Sequence, residues 1–265
     1  MRPVDFVPFV EDLARASGES ILPFFRTNIG AQDKSRGGVF DPVTEADRAA
    51  ETVMRRMIND SFPTHGIIGE EFGDQRENSE YVWVLDPIDG TKSFISGIPV
   101  WGTLIGLTHN GQPCYGMMNQ PFTREKFFGD GTSATWRGIG PTGAPAERRL
   151  RARACPSLSQ ATLMTTHPAL LAPGTLEGFR RVEAKVRLSR YGCDCYAYCM
   201  LAAGHVDIVI ESGLKPYDIV ALVPIVEGAG GIVTTWDGGS PANGGAIIAS
   251  GDKRVHEEAL KSLAG

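Results

Sequence analysis

One segment, about a third of the way along the chain, joins an apolar run to two aspartates in a stiff turn. Residues 81–85 are short, β-branched and aromatic in character, which predicts a strand. Asp86 and Asp89 follow this strand three residues apart. Pro87 stiffens the turn between them, and Gly90 permits close approach of the backbone to a ligand. The chain must therefore end a buried strand here and set two carboxylates beside each other.

This turn has the composition of a site for hard cations. Mg²⁺ prefers oxygen ligands, and Asp86 and Asp89 can serve two ions with the carbonyl of Ile88 between them. The amides of Gly90 and Thr91 would open a helix and could hold phosphate oxygens. The alternative interpretation is a turn with a helix cap and no ligand.

Composition limits the classes of partner. The chain has 265 residues, 42% hydrophobic content and a formal net charge of -5, which fits one large domain or two lobes with a shared core. Nothing in this balance points to nucleic acid or a membrane as the main partner. The five cysteines, and an N-terminus that carries Asp5 and Glu11 among apolar residues, predict a cytoplasmic protein with reduced thiols and no signal peptide.

The first 150 residues predict an N-terminal α+β lobe. Apolar positions from Phe6 to Phe25 fall on helical spacing, and a second helix begins at Thr44 with a capping box that uses Asp47. Strands at 104–108 and 115–118 flank the turn Asn110-Gly111, which predicts a hairpin. Residues 129–147 are interpreted as loops between short strands.

Residues 151–265 predict a C-terminal α/β lobe, because strands alternate with helices there. The predicted strands are 187–190, 206–210, 231–235 and 246–249. The predicted helices are 195–203, 219–228 and 253–263.

Further acidic residues stand at the ends of predicted elements and could converge with the turn only through the fold. They are Asp41, Asp47, Glu70, Glu71, Asp218 and Glu227. For Glu71 and Glu227, the alternative of a solvated face or a helix-end charge stays open. The five histidines show no HExxH spacing and are interpreted as structural or surface residues.

Several motifs in order along nearly the whole chain resemble the inositol monophosphatase superfamily. They are Gly-Glu-Glu at 69–71, Asp-Pro-Ile-Asp-Gly-Thr at 86–91, Asp218, and Pro-Ile-Val-Glu-Gly-Ala-Gly-Gly at 224–231. The resemblance implies an α/β (α+β) chain folded as a layered αβαβα sandwich, a homodimer, and a phosphomonoesterase that acts on a small phosphorylated metabolite.

The resemblance also implies the roles of individual residues. Two or three Mg²⁺ ions would be held by Glu70, Asp86, the Ile88 carbonyl, Asp89 and Asp218. Glu70 and Thr91 would position the attacking water, with Asp47 supporting Thr91, while Gly90 and Thr91 bind phosphate.

Within the superfamily, the chain looks like the histidinol-phosphate phosphatase branch of histidine biosynthesis. The matching stretches are 89–97, 101–105, 119–122, 191–198 and 211–218. Inositol-specific members have small residues where Asp194 stands and a tryptophan where Tyr217 stands. Histidinol phosphate carries an ammonium and an imidazole, which require anionic partners, and Asp194 and Glu211 would supply them. Asp194 has a second interpretation, as the N-cap of the helix that follows.

Two other functions stay open at this point. One is an inositol monophosphatase or a broad sugar phosphatase. The other is a regulatory binding protein with a residual phosphatase site, since some family relatives bind transcription machinery. The intact set of acidic residues argues against a lost activity.

Overall fold

The computed structural model describes residues 6–27, 32–33 and 42–265 of the chain. Within them, two large β-sheets alternate with three layers of helices, so the predicted α/β layered sandwich is confirmed. Asp41 lies outside the described residues.

The helices and strands are numbered in chain order. The helices are α1 (Val7–Ile21), α2 (Glu45–Ser61), α3 (Thr91–Ile95), α4 (Leu176–Glu183), α5 (Tyr196–Ala202), α6 (Pro216–Ile219), α7 (Leu222–Gly228) and α8 (Lys253–Ala264). The strands of the larger sheet are β3 (Gly66–Gly69), β4 (Gly73–Gln75), β5 (Tyr81–Asp89), β6 (Gly102–His109), β7 (Gln112–Gln120), β8 (Glu125–Gly129), β9 (Ala134–Ile139) and β10 (Pro145–Arg149). Those of the smaller sheet are β11 (Thr162–Thr165), β12 (Leu188–Tyr191), β13 (Ile208–Leu214), β14 (Ile232–Thr235) and β15 (Gly245–Ser250), and a two-residue pair joins β1 (Gln32–Asp33) to β2 (Pro42–Val43).

The larger sheet has the order β10-β9-β8-β7-β6-β5-β3-β4, and its pairs are antiparallel except for β3 with β5. Helices α1 and α2 cover its outer face through side chains such as Leu13 and Met54, which share an apolar cluster with Trp83 of β5. Helix α2 begins as predicted, because the amide and the hydroxyl of Thr44 both donate to the Asp47 carboxylate, at 2.8 and 2.5 Å. The predicted hairpin is formed by β6 and β7.

The middle layer consists of α5, α6 and α7, and its apolar side chains join both sheets in one core. Leu104 and Phe127 contribute from the larger sheet, Leu222 from α7, and Ile247 from the smaller sheet. This shared core fixes the two sheets relative to each other, because neither inner face is covered without the helices between them.

The smaller sheet has the order β12-β11-β13-β15-β14, with parallel pairs on either side of β11 and antiparallel pairs on either side of β15. Helices α4 and α8 cover its outer face through Phe179, Val182, Val255 and Leu263. The layers therefore run α1/α2, larger sheet, α5–α7, smaller sheet, α4/α8.

The structure corrects the helix predicted at 219–228. The chain there forms α6 and α7 with a break at residues 220–221. Pro224 explains the break, because it has no amide hydrogen to donate to the carbonyl of Val220 and its ring would clash with that carbonyl. Proline is tolerated in the first turn of a helix, which is where Pro224 lies in α7.

The same helix break passes very close to the larger sheet over a row of glycines. Gly106, Gly116 and Gly129 are cross-strand neighbours on β6, β7 and β8. A Cβ atom on Gly116 would lie 1.8 Å from the carbonyl oxygen of Ala221. Glycine is therefore required at this position, since any side chain would push the middle layer off the sheet.

No helix in the ranges 6–27 and 42–265 is both long and apolar enough to cross a membrane.

We expect Gly116→Ala to lower the free energy of unfolding by about 3 kcal/mol, because the added methyl group meets backbone atoms that cannot move independently. Gly140→Ala is the matched control, since the nearest atom to its added methyl is the Ala146 side chain at 3.2 Å. Chemical denaturation of both variants checks the prediction. Equal stability of the two variants would contradict this account of the sheet–helix contact.

Candidate active site

A one-residue bulge in β5 brings Asp86 and Asp89 to the same side of the sheet. Asp86 pairs with Leu104 and Asp89 with Gly102, so three steps along β5 match two along β6. In a regular strand, residues three apart point to opposite faces, and one extra residue restores the same face. The bulge therefore turns an adverse spacing into two adjacent carboxylates.

Local hydrogen bonds hold the bulge in place. The hydroxyl of Thr103 donates to the carbonyl of Pro87 at 2.9 Å, and the amide of Ile88 donates to Asp86 at 3.0 Å. The Ile88 side chain is fully buried in a cluster with Trp101 and other apolar residues. The turn is thus anchored on both sides, and its carboxylates have little freedom to separate.

Asp218 joins the two aspartates from the other end of the chain. It lies in α6, and its carboxylate accepts the amide of Lys215 at 2.6 Å. Ligand oxygens of Asp86, Asp89 and Asp218 all lie within 4.8 Å of one another. The fold has therefore brought together residues more than a hundred positions apart.

The electrostatics of this acidic cluster favour a bound cation. Burial raises the pKa of Asp86 well above its usual value, and the charges of Glu70, Asp89 and Asp218 raise it further. The pKa of Asp89 is also raised, by burial first and then by Asp194 and Asp218. Carboxylates that resist ionisation together can ionise when a divalent cation lies between them. The donor set consists of carboxylate oxygens, and it fits Mg²⁺.

A cavity of about 740 Å³ opens onto the cluster. It is lined by every residue to which the sequence analysis gave a role in the site except Asp47, whereas the further acidic candidates Glu71 and Glu227 do not line it. These residues are Glu70, Asp86, Ile88, Asp89, Gly90, Thr91, Asp194, Glu211 and Asp218. The volume is that of a site for a small metabolite.

Gly90 and Thr91 form the start of the short helix α3 at the edge of the cavity. Gly90 adopts the left-handed conformation, with φ of 84°. A Cβ atom on Gly90 would lie 2.8 Å from the Asp194 carboxyl carbon, so glycine is also required by this close approach. The Thr91 hydroxyl donates to the carbonyl of Ile88 at 3.2 Å.

Asp47 lies behind the cavity wall. Its buried carboxylate accepts the two hydrogen bonds from Thr44, and among the described residues no hydrogen bond joins it to Thr91. Burial raises the pKa of Asp47 to about 6. The hydrogen bonds from Thr44 oppose this shift, whereas the charges of Glu71 and Glu70 add to it. Asp47 therefore senses the acidic site electrostatically, and its expected support of Thr91 is not present in this arrangement.

Asp194 faces the cavity and does not cap the following helix α5. Its backbone has φ of 42°, and its carboxylate accepts the Ser93 hydroxyl at 2.6 Å. The amide of Cys195, at the start of α5, donates instead to Asp89 at 2.7 Å. The capping group thus comes from the other sheet. Burial raises the pKa of Asp194, while the hydrogen bond from Ser93 and the charge of Lys92 oppose this.

Glu211 is a second carboxylate of the cavity wall, with 6% of its surface exposed. It accepts the amide of Thr166 at 2.6 Å. Burial raises the pKa of Glu211 to about 7 in spite of that bond, and the charge of Asp194 contributes to the rise. Just beyond it, β13 carries a bulge between Glu211 and Leu214, so each sheet is irregular where it meets the cavity.

Other cavity residues were given no role by sequence reasoning, although Tyr217 was noted as a position that differs from inositol-specific members. They are Lys92, Ser93, Ser96, Ile98, Thr166, His167, Leu170, Gly192, Ser212, Gly213, Leu214 and Tyr217. Lys92 and Ser93 lie within the motif that begins at Asp89, so their proximity to Asp89 in sequence could have predicted that they line the cavity. His167 is exposed on the cavity wall, and its local sequence carries no pattern that marks it as more than a surface residue.

Comparisons with known proteins agree with this geometry. A model of the inositol monophosphatase family matches residues 4–264. The chain is 46% identical over 263 residues to the bifunctional phosphatase IMPL2, chloroplastic, of Arabidopsis thaliana, covering 95% of this chain and 72% of that protein. It is 35% identical over 227 residues to a histidinol-phosphatase of Mycobacterium tuberculosis, covering 84% of each. A solved inositol monophosphatase from Zymomonas mobilis has a TM-score of 0.86 at 37% identity and covers 99% of this chain and 100% of its own. The chain therefore belongs to the inositol monophosphatase family, whose members are phosphatases.

Proposed function

We propose that this phosphatase hydrolyses L-histidinol phosphate to L-histidinol and phosphate in histidine biosynthesis. The observation that carries the proposal is the pair of carboxylates, the partly buried Asp194 and the buried Glu211, in the same cavity as the acidic cluster. Two relatives, one named histidinol-phosphatase and one named bifunctional phosphatase, support the assignment.

A cationic substrate group explains why one buried and one partly buried carboxylate lie side by side in this wall. Burial of an anion is costly unless the charge is paired. An ammonium or imidazolium that binds between Asp194 and Glu211 would form ion pairs that offset the desolvation cost of the carboxylates, and charge-assisted hydrogen bonds are stronger than neutral ones. A neutral polyol would not offset that cost.

Mg²⁺ is the cofactor that this site would hold. Two or three ions would be bound by Glu70, Asp86, the Ile88 carbonyl, Asp89 and Asp218. When bound, the metal would offset the charge of the phosphate ester, activate water and stabilise the leaving oxygen.

Residues of the chain itself would orient the attacking water and bind the phosphate. We assign Glu70 and Thr91 to orienting the attacking water, and the amides of Gly90 and Thr91 to binding phosphate oxygens at the start of α3. The single hydroxyl hydrogen of Thr91 is committed to Ile88 in this structure. One buried oxygen of Asp47 accepts no hydrogen bond within the described part of the chain, which supports keeping Asp47 as the proposed partner of Thr91.

Inositol phosphate is the second candidate substrate. The likeness to the Zymomonas mobilis inositol monophosphatase favours it, and Glu211 would accept a hydrogen bond from a polyol hydroxyl as well as from an ammonium. Asp194 separates the two candidates, because only a cation gains from a second negative charge.

We also propose a homodimer in the cytoplasm, with lobes at residues 1–150 and 151–265. The larger sheet ends at Arg149 and the smaller begins at Thr162, which supports the division. The five cysteines are free, which supports a reducing compartment.

Asp86→Asn should abolish turnover while leaving the fold intact, because it removes a shared ligand charge and little volume. Saturating Mg²⁺ at about a hundred times its Kd stabilises a binding protein by about 2.7 kcal/mol. We therefore expect Mg²⁺ to raise the melting temperature of the wild type and of the exposed control Asp60→Asn, but not that of Asp86→Asn. In EDTA, Asp86→Asn should melt at or above the wild-type temperature, since one repelling charge is gone. Near-normal activity at saturating Mg²⁺ would refute this site.

Asp194→Asn should impair histidinol phosphate selectively. Asparagine tolerates the positive φ and keeps an acceptor for Ser93, so the change removes mainly charge. A hydrogen bond to a charged group contributes about 1.5–3 kcal/mol, so kcat/KM should fall roughly 10- to 150-fold at about 1.4 kcal/mol per decade. Phosphate release from inositol phosphate, measured beside it, should change little. Equal losses of kcat/KM on both substrates would favour inositol phosphate as the substrate.

The KM for histidinol phosphate should rise as the pH falls through about 7, because Glu211 takes up a proton there and loses its negative charge. Above this pH the carboxylate is ionised and attracts the ammonium. One proton changes KM by up to about tenfold per pH unit. Steady-state kinetics of wild type and Glu211→Gln check this, with inositol phosphate as the control for ionisation of the phosphate itself. An unchanged pH profile in the variant would count against Glu211.

A further inference from the structure

Glu51 is a fully buried carboxylate that does not line the cavity. It lies on α2, four residues beyond Asp47. Burial of a charge of this kind is costly unless it is paired and hydrogen-bonded. The contacts of Glu51 therefore show which segment of the chain it stabilises.

Those contacts are directed at one turn. The Glu51 carboxylate accepts the amide of Glu71 at 2.8 Å and the amide of Phe72 at 3.2 Å. It also accepts Nε of Arg55 at 2.7 Å. Arg55 in turn donates to the carbonyl of Gly73. The ion pair thus binds three successive residues, which are Glu71 and Phe72 after β3 and Gly73 at the start of β4.

The residue before this turn is shaped by the same pair. A Cβ atom on Gly69 would lie 2.1 Å from a Glu51 carboxylate oxygen and 2.5 Å from Nη2 of Arg55. Only glycine therefore fits at the end of β3. Glu70 lies between this contact and the bonded amide of Glu71, so the backbone on both of its sides is fixed by Glu51.

Glu70 needs such control because of where its side chain acts. Its amide donates to the carbonyl of Leu85 on β5, and its carboxyl acts electrostatically on Asp86. The turn is also restrained by an ion pair between Glu71 and Arg48, at 4.0 Å. A small rotation of the backbone at Glu70 would move its carboxyl away from the cluster, whereas the aspartates of β5 would stay in place.

We propose that Glu51 is a positioning residue for the metal site, which holds the turn 69–73 so that Glu70 is presented to Asp86. The inference rests on the proposed function only in taking Glu70 as a ligand of Mg²⁺. It is independent of the substrate. A residue that serves only fold stability would lower the melting temperature and leave the Mg²⁺ affinity of the folded protein unchanged.

The test is calorimetric titration of the full chain with Mg²⁺ alone, for wild type, Glu51→Gln and Glu45→Gln. Glutamine keeps the shape, but its NH₂ group is a donor and meets donors on every side, so a bond to the turn or to Arg55 is lost. Changes to residues that orient metal ligands typically cost about 10–100-fold in affinity, and we expect that weakening in Glu51→Gln. Glu45 is exposed on the same helix and should bind as the wild type does.

Wild-type Mg²⁺ affinity in folded Glu51→Gln, with only a lower melting temperature in EDTA, would overturn the proposal. If Glu51→Gln does not fold, Mg²⁺ binding by Arg55→Lys tests the proposal instead. This variant keeps the positive charge beside Glu51 and loses the hydrogen bond from the guanidinium to the carbonyl of Gly73. Weakened Mg²⁺ binding then supports the proposal and unchanged binding overturns it. Asp86→Asn distinguishes failure of the Mg²⁺ site from failure of the proposed role of Glu51. Equal Mg²⁺ binding by this variant and the wild type would refute the metal site itself. A loss in Asp86→Asn without one in Glu51→Gln sinks only the role of Glu51.

Discussion

Repulsion among closely spaced carboxylates is the constraint that the rest of this structure serves. Asp86, Asp89 and Asp218 are held together although the charges of Asp89 and Asp218 raise the pKa of Asp86, and the charge of Asp218 raises the pKa of Asp89. Each also accepts one backbone amide, from Ile88, Cys195 and Lys215 respectively. These bonds fix the orientation of each carboxylate and offset part of the repulsion. The backbone amides thus orient the carboxylates toward one another, which is the kind of preorganisation on which electrostatic catalysis depends.

The site also depends on the contact between the two sheets. Asp89 comes from the larger sheet, yet it accepts the amide that starts α5 in the middle layer. Ser93 follows Asp89 and donates to Asp194 across the same boundary. The residues of the cluster and those of the cavity wall are therefore linked by two hydrogen bonds, and a shift between the sheets would disturb both at once. The glycines beneath α7 limit such a shift by letting helix and sheet backbones touch.

Local sequence was enough to predict some of these features and not others. The capping box at Thr44 and the hairpin each depend on residues close in sequence, and the structure has them. The strand predicted to end at residue 85 before a turn instead continues through a bulge to Asp89. Asp218 could be joined to that turn only through the family resemblance, because spacing carries no information about long-range contacts. The bulge in β5 was also invisible, since its extra residue is defined by the register with another strand. The contacts of Glu51 depend on a turn twenty residues away and left no local pattern.

In the proposed function, substrate recognition and metal binding use different residues of the same cavity, and this separation has a consequence. Asp194 itself has a positive φ, and its side chain lies against Gly90, where the absence of a Cβ atom leaves room for it. It makes no part of the aspartate cluster. A change at that position would alter the charge seen by the leaving group, and it would act on the cluster through the pKa of Asp89, which the charge of Asp194 raises. One scaffold can therefore keep a single hydrolytic chemistry while its cavity wall is adapted to cationic or neutral phosphate esters, which is how function comes to depend on a site and not on the fold that carries it.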